Sequence, residues 1–295
     1  MAVEADKTKH LLQAGHTACA GCGQALAARI VINTAGPKTI IANSTGCLEV
    51  FTTRAPQTAW GVPWVHSLFE NSAAVASGIE AAMRYFGKID EVNIIAQGGD
   101  GGTGDIGMGA LSGMLERGHK ILYVCYDNEA YMNTGIQRSG LTPFDSNTTT
   151  SPVGSQSTGN QRPKKPVFEI AVAHGISYAA TASAAFPKDI EKKVKKALSM
   201  PGAKYLQIHV PCPLGWRSAP NLTVEIAKLA VETGLYPIVE FENGKLVSVR
   251  KIKPKPVEEY LKTQGRFKHL LKNEEELEKI REIARQNIEK YGLSV

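Results

Sequence analysis

The sequence predicts an α/β fold, a largely parallel sheet with helices on both faces. Two observations carry that expectation. Short runs rich in branched and aromatic residues recur at strand length, and amphipathic stretches of helical length separate them. The strand candidates are Thr-Ile-Ile-Ala at 39–42, Val-Asn-Ile-Ile-Ala at 92–96, Ile-Leu-Tyr-Val-Cys at 121–125 and Tyr-Leu-Gln-Ile-His-Val at 205–210. Helical candidates fall at 23–34, 71–86, 104–117 and 187–199. The last opens at Pro187, whose fixed φ suits a first helical turn, and stops before Pro201 and Gly202.

Residues 134–166 break the alternation. They are dense in Ser, Thr, Gly, Pro and Asn and carry almost no periodic apolar signal. A loop this long inside a compact domain tends to be functional or partner-bound, the alternative being a disordered surface excursion. Further on, 238–242 and 245–249 alternate around Asn243-Gly244, a strong hairpin signal because both turn positions want positive φ. Beyond Pro254 and Pro256 the chain turns charged and helical, with Leu277, Ile280, Ile283, Ala284 and Ile288 on one stripe. We read a main unit over 1–235 and a hairpin with a helical arm over 236–295, the arm packing on this unit or on a partner subunit.

With 295 residues, 43% hydrophobic and 21% charged, the chain can bury a large core. No run approaches the ~18 apolar residues of a membrane span. The start, Met-Ala-Val-Glu-Ala-Asp-Lys, lacks a basic-then-apolar leader pattern, so a cytoplasmic setting is expected. Cysteines there are ligands or thiols rather than disulfides. The formal charge of +6 comes from short basic runs at 162–165, 192–196 and 250–253. These read as solvated helix faces and loop edges, with a docking face for an acidic partner or phosphate as the sharper alternative. No aromatic interleaving accompanies them, which speaks against nucleic acid.

The run Gly98-Gly99-Asp100-Gly101-Gly102-Thr103-Gly104-Asp105 follows a predicted strand and opens a predicted helix. In an open parallel sheet that is the carboxyl edge, where ligands bind. Glycines let a backbone approach a phosphate, and a helix start offers free N–H groups. Gly99, Gly101 and Gly104 also satisfy a dinucleotide pattern, but Asp100 inside the turn would repel a bare diphosphate. A magnesium ion between them removes that objection. Mg²⁺ takes one or two protein groups plus phosphate oxygens, and Asn128, just past the next strand, offers an amide oxygen. The Ala130 carbonyl could complete the set. Asp100 and Asn128 together look like the thiamine diphosphate motif.

Four of the five cysteines follow strand ends or turns: Cys19 and Cys22 in Cys-Ala-Gly-Cys-Gly, Cys47 in Asn-Ser-Thr-Gly-Cys, and Cys212 between two prolines. They could converge at one sheet edge as a zinc site, a redox dithiol or an iron–sulfur cradle. Cys125 lies within a strand and reads as a core thiol, and His16 and His209 as turn or core histidines.

Taken in order, Cys-Ala-Gly-Cys-Gly at 19–23, Asn-Ser-Thr-Gly-Cys at 43–47, Ser-Leu-Phe-Glu-Asn at 67–71, Gly-Gly-Asp-Gly at 98–101 and Asp-Asn-Glu-Ala-Tyr-Met-Asn-Thr-Gly at 127–135 resemble the thiamine-diphosphate-binding β subunit of pyruvate:ferredoxin oxidoreductases. The resemblance covers roughly 10–220 and implies a thiamine diphosphate-binding fold. It implies that Cys19, Cys22, Cys47 and Cys212 hold a 4Fe–4S cluster, and that Asp100, Asn128 and the Ala130 carbonyl bind Mg²⁺. Gly99, Gly101 and Gly102 would cradle the diphosphate, with Glu129, Tyr131 and Met132 lining the cofactor. Asn133 and Thr134 would face the reacting centre. Gln24 stands where related chains often carry Glu, and either can hydrogen-bond the cofactor. Cys47 counts both as a cluster ligand and as a cofactor neighbour.

The implied reaction is thiamine-dependent oxidative decarboxylation of pyruvate to acetyl-CoA and CO₂, with coenzyme A as cosubstrate. Electrons would leave one at a time through the cluster to ferredoxin. The implied partners are α, γ and δ subunits. The glutamate that activates thiamine is missing from this chain, which has length for one such domain. Glu70 reads as a helix start, so the activating group is expected from a partner. The rivals are the same chemistry on branched-chain or other 2-oxoacids, a thiamine-dependent decarboxylase or synthase with structural zinc, and a non-enzymatic scaffold subunit.

Overall fold

The computed structural model describes residues 10–54 and 58–295. Residues 1–9, on which the leader reading rests, lie outside the described residues. In chain order come α1 (Gly23–Ala35), β1 (Thr39–Asn43), α2 (Cys47–Thr52), β2 (Trp64–His66), α3 (Ser72–Tyr85), β3 (Asn93–Gly99), α4 (Met108–Glu116) and β4 (Leu122–Asp127). A two-stranded hairpin, β5 (Val153–Gly154) and β6 (Ser157–Thr158), precedes α5 (Val167–Ala173), β7 (Tyr178–Ser183), α6 (Pro187–Ser199) and β8 (Lys204–His209). Then follow α7 (Pro213–Trp216), α8 (Thr223–Glu232), β9 (Val239–Glu242), β10 (Lys245–Val249), α9 (Val257–Leu261) and α10 (Glu274–Tyr291).

The main sheet has eight strands in the order β10-β9-β7-β8-β4-β3-β1-β2. All neighbours from β7 to β2 pair in parallel, and β9 and β10 add an antiparallel edge. Strands β4 and β8 are buried along their whole length, as parallel strands covered on both faces must be. Alternation along β4 feeds two cores. Leu122, Val124 and Tyr126 pack with α1 and α6 residues such as Val31 and Val194, whereas Tyr123 and Cys125 pack with Ala76, Leu111 and Met114 of α3 and α4. The α/β expectation holds.

The four expected strands are all present within a residue or three at their ends. Strand β7 was not expected, because Tyr-Ala-Ala-Thr-Ala-Ser has little intrinsic strand preference; pairing with β8 and β9 imposes it. The helix expected over 104–117 begins as a π-helical turn at Gly102–Ile106 and becomes α4 only at Met108. Such widened turns gather at functional sites.

Asn243 and Gly244 form the hairpin turn with φ of 48° and 74°. Strand β9 pairs with β7, so the hairpin extends the same sheet, and position 235/236 divides no sheet. Helix α10 is capped by Asn273, whose side chain accepts from the Glu276 N–H at 3.3 Å. Its Leu277, Ile280 and Ala284 pack against Trp216, Tyr260 and Phe267 in a third core, so the arm folds onto this chain. Residues 134–166 are no surface excursion either: Ser139, Leu141, Thr142, Asp145, Ser146 and Asn160 are buried. The basic runs are only partly solvated. Lys164, Lys165, Lys193 and Lys196 each pair with a carboxylate of the fold.

Candidate cofactor and cluster site

Strands β1, β3, β4 and β8 are neighbours and parallel, so the segments that follow them share one edge of the sheet. Those segments are 44–47, 100–102, 128–134 and 210–213. The topology alone therefore gathers the acidic turn and two cysteine positions.

Asp100 is fully buried, and the Ser139 hydroxyl donates a short hydrogen bond to its Oδ2. Burial and then the neighbouring Asp127 carboxylate push the Asp100 carboxyl well above its usual range. A cation is the natural remedy for such a group. The Asn128 amide oxygen lies 2.8 Å from the Ala130 carbonyl oxygen and 2.9 Å from Asp100 Oδ1. Three oxygens so close repel one another unless a cation lies among them; otherwise the amide must turn its NH₂ toward the other two. Mg–O distances of about 2.0–2.1 Å put adjacent octahedral ligands roughly 2.9 Å apart. The donor set therefore fits Mg²⁺.

The glycines of the turn have different jobs. A Cβ on Gly99 would meet nothing within 4 Å and would project into the cleft. On Gly101 it would lie 2.4 Å from the Tyr131 ring, whose hydroxyl donates to the Gly101 carbonyl at 3.0 Å. Gly101 is thus small to admit Tyr131 as well as to line the cleft. Gly102 backs onto the Phe69 carbonyl, 3.0 Å from where its Cβ would be. Gln24, Cys47, Asn128, Ala130, Met132, Asn133 and Thr134 line the same cleft. Its enclosed volume is only about 30 Å³, whereas a cofactor pocket takes roughly 300–1,000 Å³. The cleft of this chain is too small to enclose such a cofactor by itself.

Cys19, Cys22, Cys47 and Cys212 line one cavity of about 140 Å³. Cys22 and Cys212 cap the starts of α1 and α7, accepting from the Ala25 and Gly215 N–H groups at 3.4 Å each, and Cys47 begins α2. Burial pushes the Cys22 thiol up to about 11 and raises Cys47 and Cys212 as well, with the other cysteines adding to it. A metal centre offsets that mutual repulsion. Among the described residues, no three His, Cys, Asp or Glu side chains converge closely enough for a single ion. One tetrahedral zinc with ~2.3 Å bonds to sulfur needs such convergence; a cluster spreads its four thiolates further apart. Four thiols around one cavity are a donor set that fits a metal centre of the kind thiolates hold. Gln24, Cys47, Asn128 and Asn133 line both this cavity and the cleft, and the Gln24 Oε1 is buried without a partner.

One expected contact is corrected. Glu129 does not turn its carboxylate to the cleft. It points behind the metal turn, to Lys164 Nζ at 2.8 Å and Arg266 Nη2 at 2.6 Å. The backbone explains it: the strand ends at Asp127 and Glu129 adopts a left-handed φ of 69°, so Asn128 and Ala130 line the cleft while Glu129 lines the cavity behind it. Cys125 is a buried core thiol. His209 packs against Tyr236 and Trp216, and His16 bonds Arg29; neither lines the cysteine cavity. Glu70 is exposed just before α3. Sequence reasoning missed Ser139, Lys164, Trp216 and Arg266. The long loop was a signal for the first two, and nothing in the sequence marked the others.

The family model "Thiamine pyrophosphate enzyme, C-terminal TPP binding domain" matches residues 44–208, which include Asp100 and Asn128. Pyruvate synthase subunit PorB of Methanosarcina barkeri is 55% identical over 289 residues, covering 97% of this chain and 98% of that protein. The chain belongs to the PorB family of pyruvate synthase subunits. It is thus a subunit of a thiamine-dependent oxidoreductase. The PorB subunit of Methanocaldococcus jannaschii is 54% identical, covering 95% of each chain. Ketoisovalerate oxidoreductase subunit VorB of Pyrococcus abyssi is 48% identical, covering 90% of this chain and 87% of that one. A solved 2-oxoglutarate:ferredoxin oxidoreductase from Magnetococcus marinus shares the fold at a TM-score of 0.59 and 24% identity, covering 76% of this chain and 81% of that chain. No helix among the described residues is long and apolar enough to cross a membrane.

Proposed function

We propose that this PorB-family chain is the subunit of a cytoplasmic pyruvate:ferredoxin oxidoreductase that holds thiamine diphosphate, Mg²⁺ and a 4Fe–4S cluster side by side. The observation that carries the reading is the shared wall: Gln24, Cys47, Asn128 and Asn133 border both the metal-turn cleft and the four-cysteine cavity. Thiamine diphosphate would supply the electron sink for decarboxylation, and the cluster a one-electron acceptor.

The chain's own residues take the other roles. Asp100, Asn128 and the Ala130 carbonyl hold the magnesium, and Gly99, Gly101 and Gly102 leave room for the diphosphate. Tyr131 and Met132 line the cofactor; Met132 also packs on Gly215, whose Cβ would lie 2.1 Å from the Met132 sulfur. The Gln24 Oε1 is a ready acceptor for a cofactor N–H. Asn133 and Thr134, both exposed at the rim, are placed to meet the 2-oxoacid. Thr134 bonds to Gln137, which fixes its hydroxyl. Because the cleft is so shallow, the opposite wall and the activating glutamate come from another subunit of an α, β, γ, δ assembly. Coenzyme A is the acyl acceptor in this reading. We retain residues 1–235 as the cofactor unit and treat 236–295 as its edge and buttress.

The test is ferredoxin reduction by the assembled complex with pyruvate and coenzyme A, compared with 3-methyl-2-oxobutanoate. Turnover only with pyruvate supports the reading; turnover only with the branched acid, the chemistry of the VorB relatives by name, replaces the substrate. No turnover with any 2-oxoacid, or turnover by the single chain, overturns the assembly.

A further inference from the structure

We infer that Arg266 and Lys164 are positioning residues for the magnesium site, acting through Glu129 from behind the turn that carries Asn128 and Ala130. The inference rests on the metal reading proposed above. Backbone bookkeeping over 127–130 shows why the turn needs a device. The Asp127 carbonyl accepts from the Val210 N–H at 3.0 Å, continuing the sheet. The Asn128 carbonyl accepts from the Trp216 indole N–H at 2.9 Å, and the Glu129 carbonyl from the Thr142 hydroxyl at 2.8 Å. These three carbonyls are each taken by a donor, which leaves the Ala130 carbonyl to lie 2.8 Å from the Asn128 amide oxygen, itself 2.9 Å from Asp100 Oδ1.

That geometry requires Glu129 in the left-handed region, φ 69°, which a non-glycine residue holds only when its surroundings enforce it. The enforcement is electrostatic and comes from far along the chain. Lys164 in the long loop binds one carboxylate oxygen of Glu129 at 2.8 Å, and Arg266 in the C-terminal arm binds the other at 2.6 Å. Arg266 is itself fixed, donating to Gln264 Oε1 at 2.9 Å and to the Tyr260 hydroxyl at 3.2 Å, and stacking 3.7 Å over Trp216. The same Trp216 holds the Asn128 carbonyl. One buried guanidinium thus braces both residues that flank the Asn128–Glu129 peptide. Lys164 also serves Asp127 at 2.8 Å, so Arg266 is the cleaner probe. Removing a partner from a buried carboxylate leaves an uncompensated charge, and the turn would relieve it by rotating Glu129 outward and withdrawing the Ala130 oxygen.

The experiment uses the assembled complex stripped of thiamine diphosphate and Mg²⁺, with cofactor affinity measured by calorimetry across Mg²⁺ concentrations. Arg266→Met is expected to weaken thiamine diphosphate binding at limiting Mg²⁺ by roughly 10–100-fold, and saturating Mg²⁺ should restore most of the loss. Glu129→Gln should do the same, and the double variant should lose no more than either single one, because both act on one contact. Should Arg266→Met not assemble, Arg266→Lys is read by the same criteria with a smaller loss. Unchanged affinity, losses that multiply in the double variant, or a loss that Mg²⁺ does not repair each overturn the inference. Asp100→Asn separates the two levels. If it keeps Mg²⁺-dependent binding, the metal reading itself fails; if it loses binding while the Arg266 variants keep it, only the role of Arg266 fails.

Discussion

The metal turn and the cysteine cavity share a wall, yet their charges are handled in opposite ways. Around the turn every carboxylate has a partner from this chain: Ser139 for Asp100, Lys164 and Gln207 for Asp127, Lys164 and Arg266 for Glu129. In the cavity, burial and mutual repulsion raise Cys22, Cys47 and Cys212, and the Arg266 charge relieves Cys212 in part. On the proposed reading the carboxylates of the turn are held by this chain whether or not the ion is present. On the same reading the cavity would be organised by the cluster it holds, because thiols must lose their protons to become ligands. Loss of the ion should therefore leave the fold intact, whereas loss of the cluster should loosen the loops that carry its ligands.

The largest break is expected from Cys212→Ser. Electron transfer to ferredoxin should fall by at least on the order of 100-fold, with the cluster's electron paramagnetic resonance signal and bound iron lost together. The apoprotein should also become protease-sensitive around 19–22 and 211–213. Asp100→Asn should behave differently. Cofactor affinity should fall roughly 10–100-fold with iron content and signal unchanged. If Asp100→Asn also lost iron, the two halves would not be independently organised. Ser139→Ala is a milder version: removing a hydrogen bond to a buried carboxylate is worth about 1.5–3 kcal/mol, or roughly 10–100-fold in Mg²⁺-dependent affinity, most of which excess Mg²⁺ should recover. Chelation by EDTA should release thiamine diphosphate reversibly and leave the melting temperature of the stripped complex close to that of Asp100→Asn.

The same contrast governs what could be read from sequence. The proposed ligands lie at strand ends or turns in short spaced motifs, so the gathering of Asn128 and the four cysteines around adjoining cavities, with Asp100 beside Asn128, was legible from local pattern and topology. The bracing was not. Arg266 meets Glu129 across a sequence separation of 137, and no local periodicity encodes that pairing. Glu129 was misplaced because its neighbours on both sides face the cleft, and what turns it backward is a left-handed backbone, φ 69°, past the end of the strand. Strand β7 escaped because its alanines suit any structure, and β8 and β9 decide it from outside. The arm was legible as a helix from its apolar stripe, but its landing place on Trp216 was not.

The smallest expected effect tests whether the arm and the long loop stay locked behind the turn. Asp145, in the loop, and Glu276, on α10, each leave a carboxylate oxygen buried without a donor, and their carboxyl groups are in hydrogen-bond contact. Two carboxylates so placed need a shared proton. Burial and the Glu276 contact push Asp145 up to about 7, against the relief given by Thr158 and Lys279. Glu276 carries the charge, since Lys279 holds it at 2.9 Å. Gln161 Nε2 also donates to Asp145 Oδ1, at 3.2 Å, and the His269 ring nitrogen bonds the nearby Thr158 carbonyl at 2.6 Å, its own proton affinity lowered by burial. An acid whose folded pKa lies above its ordinary 3.8 stabilises the fold fully below that value and loses the contribution as pH rises toward about 7. The complex should therefore melt roughly 2–4 °C lower at pH 8 than at pH 5.5 from this pair. Asp145→Asn, whose amide donates to Glu276 at every pH, should flatten that difference. Because the loop carries Ser139 and Lys164, thiamine diphosphate affinity should weaken over the same interval while the cluster signal stays constant. A cluster signal that tracked pH with the same midpoint, or an Asp145→Asn profile as steep as the parent's, would show that the cavity and the turn are not separately supported.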